Sequence, residues 1–177
     1  MNLKNLIKNI KEGKLFIYPT DTIYGIGCNA TNIASVNKIK TIKSRDKDKP
    51  LSIIAPSIKW IKENCIIDKG LDINKYFPGP YTIILKKKNK DFLFWVSSSD
   101  SLGIRIPNSD FTRQIQKSGL PFITTSVNLS GEPFAKSINE IKQEIKNKVD
   151  IIIKAQDESK LSGIPSRLII GGKEVRR

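Results

Sequence analysis

The sequence predicts an α/β fold with a mixed sheet, built as a single domain over residues 1–177. Short apolar runs alternate with amphipathic stretches along the whole chain, the pattern expected where helices cover a sheet. The length of 177 residues fits one domain, since domains typically run to roughly 100–200 residues. No internal repeat and no low-complexity linker marks a second unit.

The elements follow in order. Leu3, Leu6, Ile7 and Ile10 share one helical face, and Gly13 is placed to end that helix. Leu15 to Tyr18 reads as a short strand stopped by Pro19, with a polar turn through Thr22. Asn32 is positioned to cap a helix reaching about Ser44, with Ile33, Val36, Ile39 and Lys40 in register. Leu51 to Ala55 reads as a buried strand and Ser57 to Asn64 as a short helix. The turn Phe77-Pro78-Gly79-Pro80 leads into a strand over Tyr81 to Lys86. Leu102 to Ile106 is a strand closed by Pro107. Ser109 to Ser118 is a helix with Gly119 as its cap, and Phe122 to Thr125 is a strand. Ile138, Ile141 and Ile145 put a helix over Ser137 to Lys148. Val149 to Ile153 and Arg167 to Ile170 are the last strands, and Asp157 to Pro165 is the most loop-like stretch.

Composition narrows the chemistry before any site is named. Hydrophobic and charged fractions of 38% and 27% fit a soluble globular chain. A chain of this size buries about 70% of its unfolded surface, so it needs no disulfide or metal staple. Histidine is absent, which removes Ser-His-Asp, Cys-His and His-ligated metal mechanisms together. Lys, Arg, Asp, Glu, hydroxyls, backbone amides or a bound ion must do the work. The net charge of +14, from 31 Lys+Arg against 17 Asp+Glu, points toward a polyanion. However, 25 Lys against 6 Arg, alongside 30 Ile and 13 Asn, is also the skew that AT-rich codon usage produces. The arginines are therefore more informative than the lysines, because the guanidinium fork suits carboxylate and phosphate. Cys28 and Cys65 sit among apolar residues and read as reduced core thiols. The N-terminus has helical apolar spacing in place of a signal peptide's continuous apolar run. No apolar run approaches the ~20 residues of a bilayer span. The expectation is a cytoplasmic protein with no membrane association.

Five loops carry polar residues that a core does not need. Tyr18 to Gly27 offers hydroxyls and glycines at a strand end, suited to a small polar ligand or to an ordinary turn. It lacks the third glycine of a dinucleotide fingerprint, and no Walker A pattern occurs. Lys43-Ser44-Arg45-Asp46-Lys47-Asp48-Lys49 is either a favourable helix C-terminus or a phosphate clamp with Arg45 forked onto oxygens. Arg105, inside the apolar run Gly103 to Pro107, needs an anionic partner. That partner is an acidic side chain or a ligand carboxylate or phosphate. Thr124 to Gly131 runs from a strand into four hydroxyls, an amide and a glycine. In α/β sheets ligands bind beyond the carboxyl ends of strands, so this is the best unaided site candidate. Ser162 to Arg167 is a shorter polar loop. By themselves these residues describe a nucleotide- or polyanion-binding α/β protein and leave the reaction open.

The ordered set Pro19-Thr-Asp-Thr22-Ile-Tyr24-Gly25-Ile-Gly27, Lys43-Ser-Arg45 with Lys49-Pro50-Leu51, Phe77-Pro78-Gly79-Pro80-Tyr-Thr82, Arg105-Ile-Pro107 and Thr125-Ser126-Val-Asn128-Leu-Ser130-Gly131 resembles the YrdC/Sua5 family. These are the threonylcarbamoyl-AMP synthases. The likeness runs over about residues 5–177, and five motifs in order make it specific. It implies a twisted open mixed sheet of the YrdC/RibB kind, with flanking helices and a concave basic cleft. It implies synthesis of L-threonylcarbamoyl-adenylate and pyrophosphate from L-threonine, ATP and bicarbonate. That product feeds the N6-threonylcarbamoyladenosine modification of tRNA. Mg²⁺ enters with ATP. Carried over residue by residue, the family's catalytic and ATP-binding quartet falls on Lys43, Arg45, Ser126 and Asn128. A terminal nucleotide-approaching arginine corresponds to Arg176. The threonine-binding group falls on Thr22, Arg105, Thr125 and Ser166, and no protein-held metal is implied. The implied partners are tRNA and the proteins of the threonylcarbamoyl-transferase complex.

Two departures stand out. Longer members carry a histidine shortly after the Pro-Leu, near Ile54 here, and Ser-Thr where this chain has Ser166-Arg167. The competing class is a non-catalytic module that binds double-stranded RNA or tRNA, motivated by the charge. It predicts a steep salt dependence and no ATP turnover. The aromatic recognition motifs of common RNA modules are absent, which counts against it. A carbamoyl-transfer relative with another acceptor is a third reading, disfavoured by the short chain.

Overall fold

In the computed structural model, which describes residues 1–44, 46 and 48–175, helix α1 (Leu3–Lys11) opens the chain. Asn2 caps it by accepting the Asn5 amide at 2.9 Å, satisfying one of the donors a helix start leaves open. Gly13 follows at φ +76°, the left-handed turn at which helices commonly stop. Strands β1 (Phe16–Pro19) and β2 (Tyr24–Gly27) form an antiparallel hairpin. Helix α2 (Ile33–Ile42) starts on Asn32, whose side chain takes the Ser35 amide at 3.0 Å. Then come β3 (Ser52–Ile54), α3 (Ile58–Asn64), β4 (Cys65–Ile66), β5 (Tyr81–Lys87) and β6 (Ser101–Arg105). Helix α4 (Asp110–Gln116), β7 (Phe122–Ser126), α5 (Gln143–Lys146), β8 (Ile151–Ile152), β9 (Arg167–Ile170) and β10 (Lys173–Val175) complete the described chain.

The strands form one open sheet in the order β10-β9-β5-β6-β3-β7-β2-β1-β8, with β4 added on β5. Pairs β5/β9, β3/β6 and β1/β8 are parallel and the others antiparallel. The sheet is therefore mixed, as expected.

Side chains alternate between the two faces of a strand, and here the two faces bury different cores. Ile17, Ile26, Ile53, Ile83, Ile104 and Ile123 pack in one cluster with Val36 and Ile39 of α2 and Ile61 of α3. Phe16, Tyr18, Ile54 and Phe122 point the other way. They meet Leu6 and Ile10 of α1 and Phe111 and Ile115 of α4. Ring centroids in that aromatic cluster lie as close as 4.5 Å, between Tyr18 and Phe111. Full burial of a side chain such as Leu6 contributes about 1.5–3 kcal/mol. The reduced-thiol reading of the cysteines agrees with the structure, where both are free and buried.

Several boundaries differ from the sequence reading. Tyr24 to Gly27 is a strand and not part of a loop. Its glycines are a packing requirement. A Cβ on Gly27 would lie 1.9 Å from the Ile123 carbonyl oxygen, and one on Gly25 would lie 3.1 Å from the Tyr18 ring. We expect Gly27→Ala to separate β2 from β7 and to cost at least about 3 kcal/mol, the upper range for overpacking. Urea unfolding measures this, and a loss below about 0.5 kcal/mol, typical of a neutral surface change, would contradict it.

The helix expected over Ser137 to Lys148 is reduced to Gln143–Lys146. Ile141 and Ile145 are buried as the spacing implied, but residues 136–141 form bends and a turn in place of helix. Lys136 N–H donates to Glu140 Oε2 and Ile138 N–H to Glu158 Oε1, both at 2.8 Å. Helix α2 stops at Ile42, two residues short of Ser44, which takes φ +48°. The strand expected over Val149 to Ile153 pairs only through Ile151–Ile152. Among the described residues no helix is long and apolar enough to cross a membrane.

Candidate functional site

Past α1 and α4 the same sheet face becomes polar. Ser52, Thr82, Arg105, Thr124 and Leu168 floor a cleft of about 400 Å³. Its walls come from the β1–β2 turn, from Pro50 and Leu51, from the end of β7 at Thr125 and Ser126, and from Pro165 and Ser166. Gly103 keeps the floor flat, because a Cβ there would sit 2.5 Å from Ser52 Oγ. Thr82 and Ser166 are joined hydroxyl to hydroxyl at 2.8 Å, which ties the late wall to the floor.

Arg105 ends β6 and is 7% exposed. Its Nη2 donates to Asp21 Oδ1 and to Thr22 Oγ1, each at 3.2 Å. The other Asp21 oxygen accepts the Asn108 amide at 2.9 Å. The acidic side-chain partner that the sequence allowed is present. The guanidinium has an acidic structural partner, and it also lines the cleft.

Lys43 caps the end of α2 and is 2% exposed. Its ammonium reaches across to the loop after β7. It donates to the carbonyls of Ser126 (2.5 Å) and Asn128 (2.6 Å) and to Asn128 Oδ1 (3.0 Å). Ser126 Oγ donates to the same Asn128 Oδ1 at 2.5 Å, and Asn128 Nδ2 donates to the Glu132 carbonyl at 2.5 Å. The Ser130 amide returns to the Lys43 carbonyl at 2.8 Å. Three of the four quartet residues are therefore assembled around one buried positive charge. Sequence spacing brought Ser126 and Asn128 together, but only the fold adds Lys43, more than eighty residues away.

One cleft wall depends on Tyr24. Its hydroxyl donates to Glu158 Oε1 at 2.8 Å and accepts the Ala155 amide at 3.0 Å. This fastens the 155–158 segment to β2. Further along the chain, Gly163 N–H donates to the Thr22 carbonyl at 2.9 Å and ties that loop to the β1–β2 turn. Burial, with Glu158 adding, pushes the phenol from 10.0 up to about 12. A value raised on folding favours the protonated form in the folded state. The contribution is complete below pH 10.0 and is lost as pH rises through about 12. Thermal melts of the wild type and Tyr24→Phe across that window should show a steeper fall in the wild type. Parallel curves would contradict this.

The other expected residues are distributed as follows. Thr125 and Ser166 line the cleft. Thr22 stands behind the wall, 1% exposed and outside the cleft lining. Arg45 and Arg176 lie outside the described residues. Ile54 is buried among Phe16, Tyr18 and Phe122, so the position near the longer members' histidine is apolar core. Arg167 stacks 4.4 Å over the Tyr81 ring and pairs with Glu174 at 3.6 Å, outside the cleft lining. Asp21, Ser52 and Thr82 were not singled out from the sequence. For Ser52 and Thr82 the available signal was a polar side chain breaking an otherwise apolar strand.

The fold is that of an α/β sheet protein with a cleft lined by hydroxyls and Arg105, while Lys43 and Asn128 lie outside that lining and meet it through Ser126. A family model of the Sua5/YciO/YrdC proteins, described as "Telomere recombination", matches residues 8–171. The chain belongs to the Sua5/YciO/YrdC family. It is similar to a putative threonylcarbamoyl-AMP synthase of Methanocaldococcus jannaschii, with 40% identity over 85% of this chain and 72% of that one. A threonylcarbamoyl-AMP synthase of Wigglesworthia glossinidia brevipalpis is 34% identical over 85% of this chain and 81% of its own length. Among solved structures, P. abyssi Sua5 complexed with L-threonine superposes with a TM-score of 0.83 at 26% identity, covering 97% of this chain. The chain spans 51% of that Sua5 protein, about half its length.

Proposed function

We propose that the protein is an L-threonylcarbamoyladenylate synthase, a nucleotidyltransferase that joins L-threonine, bicarbonate and ATP and releases pyrophosphate. The observation that carries this reading is the cradle of Lys43, Ser126 and Asn128, joined through Ser126 to a cleft that Arg105 also lines. The names of its relatives and the L-threonine complex of P. abyssi Sua5 support it.

The reaction asks little of a protein without histidine. The threonine amine attacks the bicarbonate carbon, a C–O bond of bicarbonate breaks, and water leaves to give the carbamate. A carbamate oxygen attacks the α-phosphorus of ATP, and the bond to the bridging oxygen of pyrophosphate breaks. No covalent enzyme intermediate is needed. Catalysis amounts to holding two anions in line and neutralising developing charge. Two anions 4 Å apart repel by about 4 kcal/mol at an effective dielectric of 20, so buried cations bear directly on the rate. Lys43 serves the phosphates, with Arg45 beside it in the chain and Arg176 as a further nucleotide contact. Arg105 serves the threonine carboxylate, with Thr125 and Ser166 as neighbouring hydroxyls. Among the described residues no three His, Cys, Asp or Glu side chains are grouped to hold a metal. In this reading Mg²⁺ enters as part of the Mg·ATP substrate. The labile product favours direct hand-over to a transferase complex that modifies tRNA.

Isotope tracing tests the proposal. With ¹³C-bicarbonate, unlabelled L-threonine and Mg·ATP, mass spectrometry should find the label in an adenylate that also contains threonine. An adenylate lacking the bicarbonate carbon would defeat the reading. Tight, salt-sensitive tRNA binding without any adenylate would favour the RNA-binding module.

A further inference from the structure

The chain has 2 tryptophans, and both stand on the sheet face that carries α2 and α3. Trp60 is on α3, and Trp95 belongs to the loop between β5 and β6. With Phe92 they are half-buried against the core cluster that holds Ile61, Ile83 and Ile104. Thr82 and Arg105, the strand neighbours of Ile83 and Ile104, face the cleft on the other side. The Trp60 and Phe92 rings lie 5.7 Å apart. Leu93 takes φ +49°, a left-handed conformation that a non-glycine residue enters only at a cost. That turn sends Leu93 inward, 2% exposed, and leaves Phe94 outside at 55%.

The loop is held at several points. Lys87, buried at the end of β5, donates to the Lys90 carbonyl at 2.6 Å and to the Ser97 carbonyl at 3.0 Å. Trp95 Nε1 donates to the Ala30 carbonyl at 2.8 Å, and the Val96 carbonyl accepts the Leu51 amide at 2.9 Å. Lys88 Nζ crosses to the Lys62 carbonyl of α3 at 2.7 Å. The aromatic surface is therefore formed before anything binds, which lowers the cost of ordering it. The same two elements carry exposed lysines, Lys59 and Lys62 on α3 and Lys88 and Lys90 on the loop, against the carboxylates of Glu63 and Asp91. A single exposed phenylalanine is ordinary. One beside both tryptophans and a surplus of lysine suits a base and its phosphates, since bases stack on aromatic rings and lysine neutralises phosphate. Protein–protein interfaces are depleted of lysine, which weighs against a protein occupant.

We propose that the patch formed by α3 and residues 88–97 docks an unpaired segment of RNA, with Phe94 stacking on a base. A base inside a duplex has no free face, so the strand must be unpaired. The choice of RNA rests on the synthase reading, whose product serves tRNA. The patch itself is separate from the cleft.

Titration of the full chain with oligouridylate of about ten nucleotides, followed by tryptophan fluorescence, tests this. Both tryptophans lie in the patch, so a strand bound there should quench the emission to saturation. Phe94→Ala should weaken the affinity about tenfold, the loss of one stacked base, with an unchanged circular dichroism spectrum. Phe94→Trp should keep it. Lys90→Gln should flatten the salt slope by about 0.7, one phosphate contact of a single strand. Saturating Mg·ATP and L-threonine should not displace the strand. A strand that binds without quenching, binds Phe94→Ala as tightly, or is displaced by Mg·ATP sits elsewhere, and each result would overturn the proposal. Failure to bind the strand at all would overturn it as well. So would a dimer in sedimentation that Phe94→Ala dissociates, because the patch would then pair two copies of the chain. The titration itself contains no substrate, so its outcome stands whatever reaction the cleft performs, and threonine-dependent pyrophosphate release judges the synthase reading alone.

Discussion

Lys43→Met should lower kcat/KM for pyrophosphate release at least ~100-fold, because it removes a buried positive charge beside the proposed phosphate site and releases the loop that carries Ser126 and Asn128. The thioether fills most of the lysine's volume but donates nothing. The carbonyls of Ser126 and Asn128 and the Asn128 side-chain oxygen each lose the ammonium as a partner. A buried acceptor left unsatisfied costs about 1–3 kcal/mol. Asn128 Oδ1 retains Ser126 Oγ and falls at the low end of that range. Stability should therefore drop by about 3 kcal/mol in urea unfolding along with the activity. Lys43→Arg should fail to rescue turnover, because a planar fork cannot send three hydrogens from one atom to these three acceptors as an ammonium does. Near-normal turnover in Lys43→Met would remove the cradle from the site.

Arg105→Leu should be the most destabilising charge change in the cleft. The arginine and Asp21 side chains are 9% and 12% exposed, so deleting the cation strands a nearly buried carboxylate. Breaking a buried pair from one side typically costs about 3–5 kcal/mol. The double variant Arg105→Leu with Asp21→Asn removes the stranded charge and should recover more than half of that loss. It should recover none of the threonine affinity, with KM remaining at least ~100-fold above wild type, the equivalent of about 2.7 kcal/mol. Urea unfolding and threonine titration on the same preparations separate the two effects. Parallel recovery of stability and affinity would mean that Arg105 is only structural.

The fold was legible where local chemistry determines it. Asn32, Ser57 and Ser109 each cap the helix that their position suggested. The isoleucine-rich runs became strands because both faces of the sheet are covered over much of its area. The Tyr24–Gly27 strand was obscured because its glycines meet partners distant in sequence, Tyr18 and Ile123, and glycine otherwise signals a turn. Over Ser137 to Lys148 the apolar spacing recorded burial, which a turn bonded to Glu140 and to the distant Glu158 supplies without a continuous helix.

The candidate site shows the same division. Lys43, Ser126 and Asn128 could be named from their motifs. Their mutual geometry could not, since a helix end and a strand end more than eighty residues apart meet only in the folded sheet. The Arg105 run demanded an anion, and Asp21 answers it from the Pro19 to Thr22 turn, where the motif reading had assigned a role to Thr22 alone.

Pyrophosphate release with and without L-threonine is the most direct test of the central claim. In Mg·ATP and bicarbonate, adding L-threonine should raise release well above the background, and omitting bicarbonate should remove the gain. Release that is independent of threonine, or absent under all conditions in folded protein, would contradict the account.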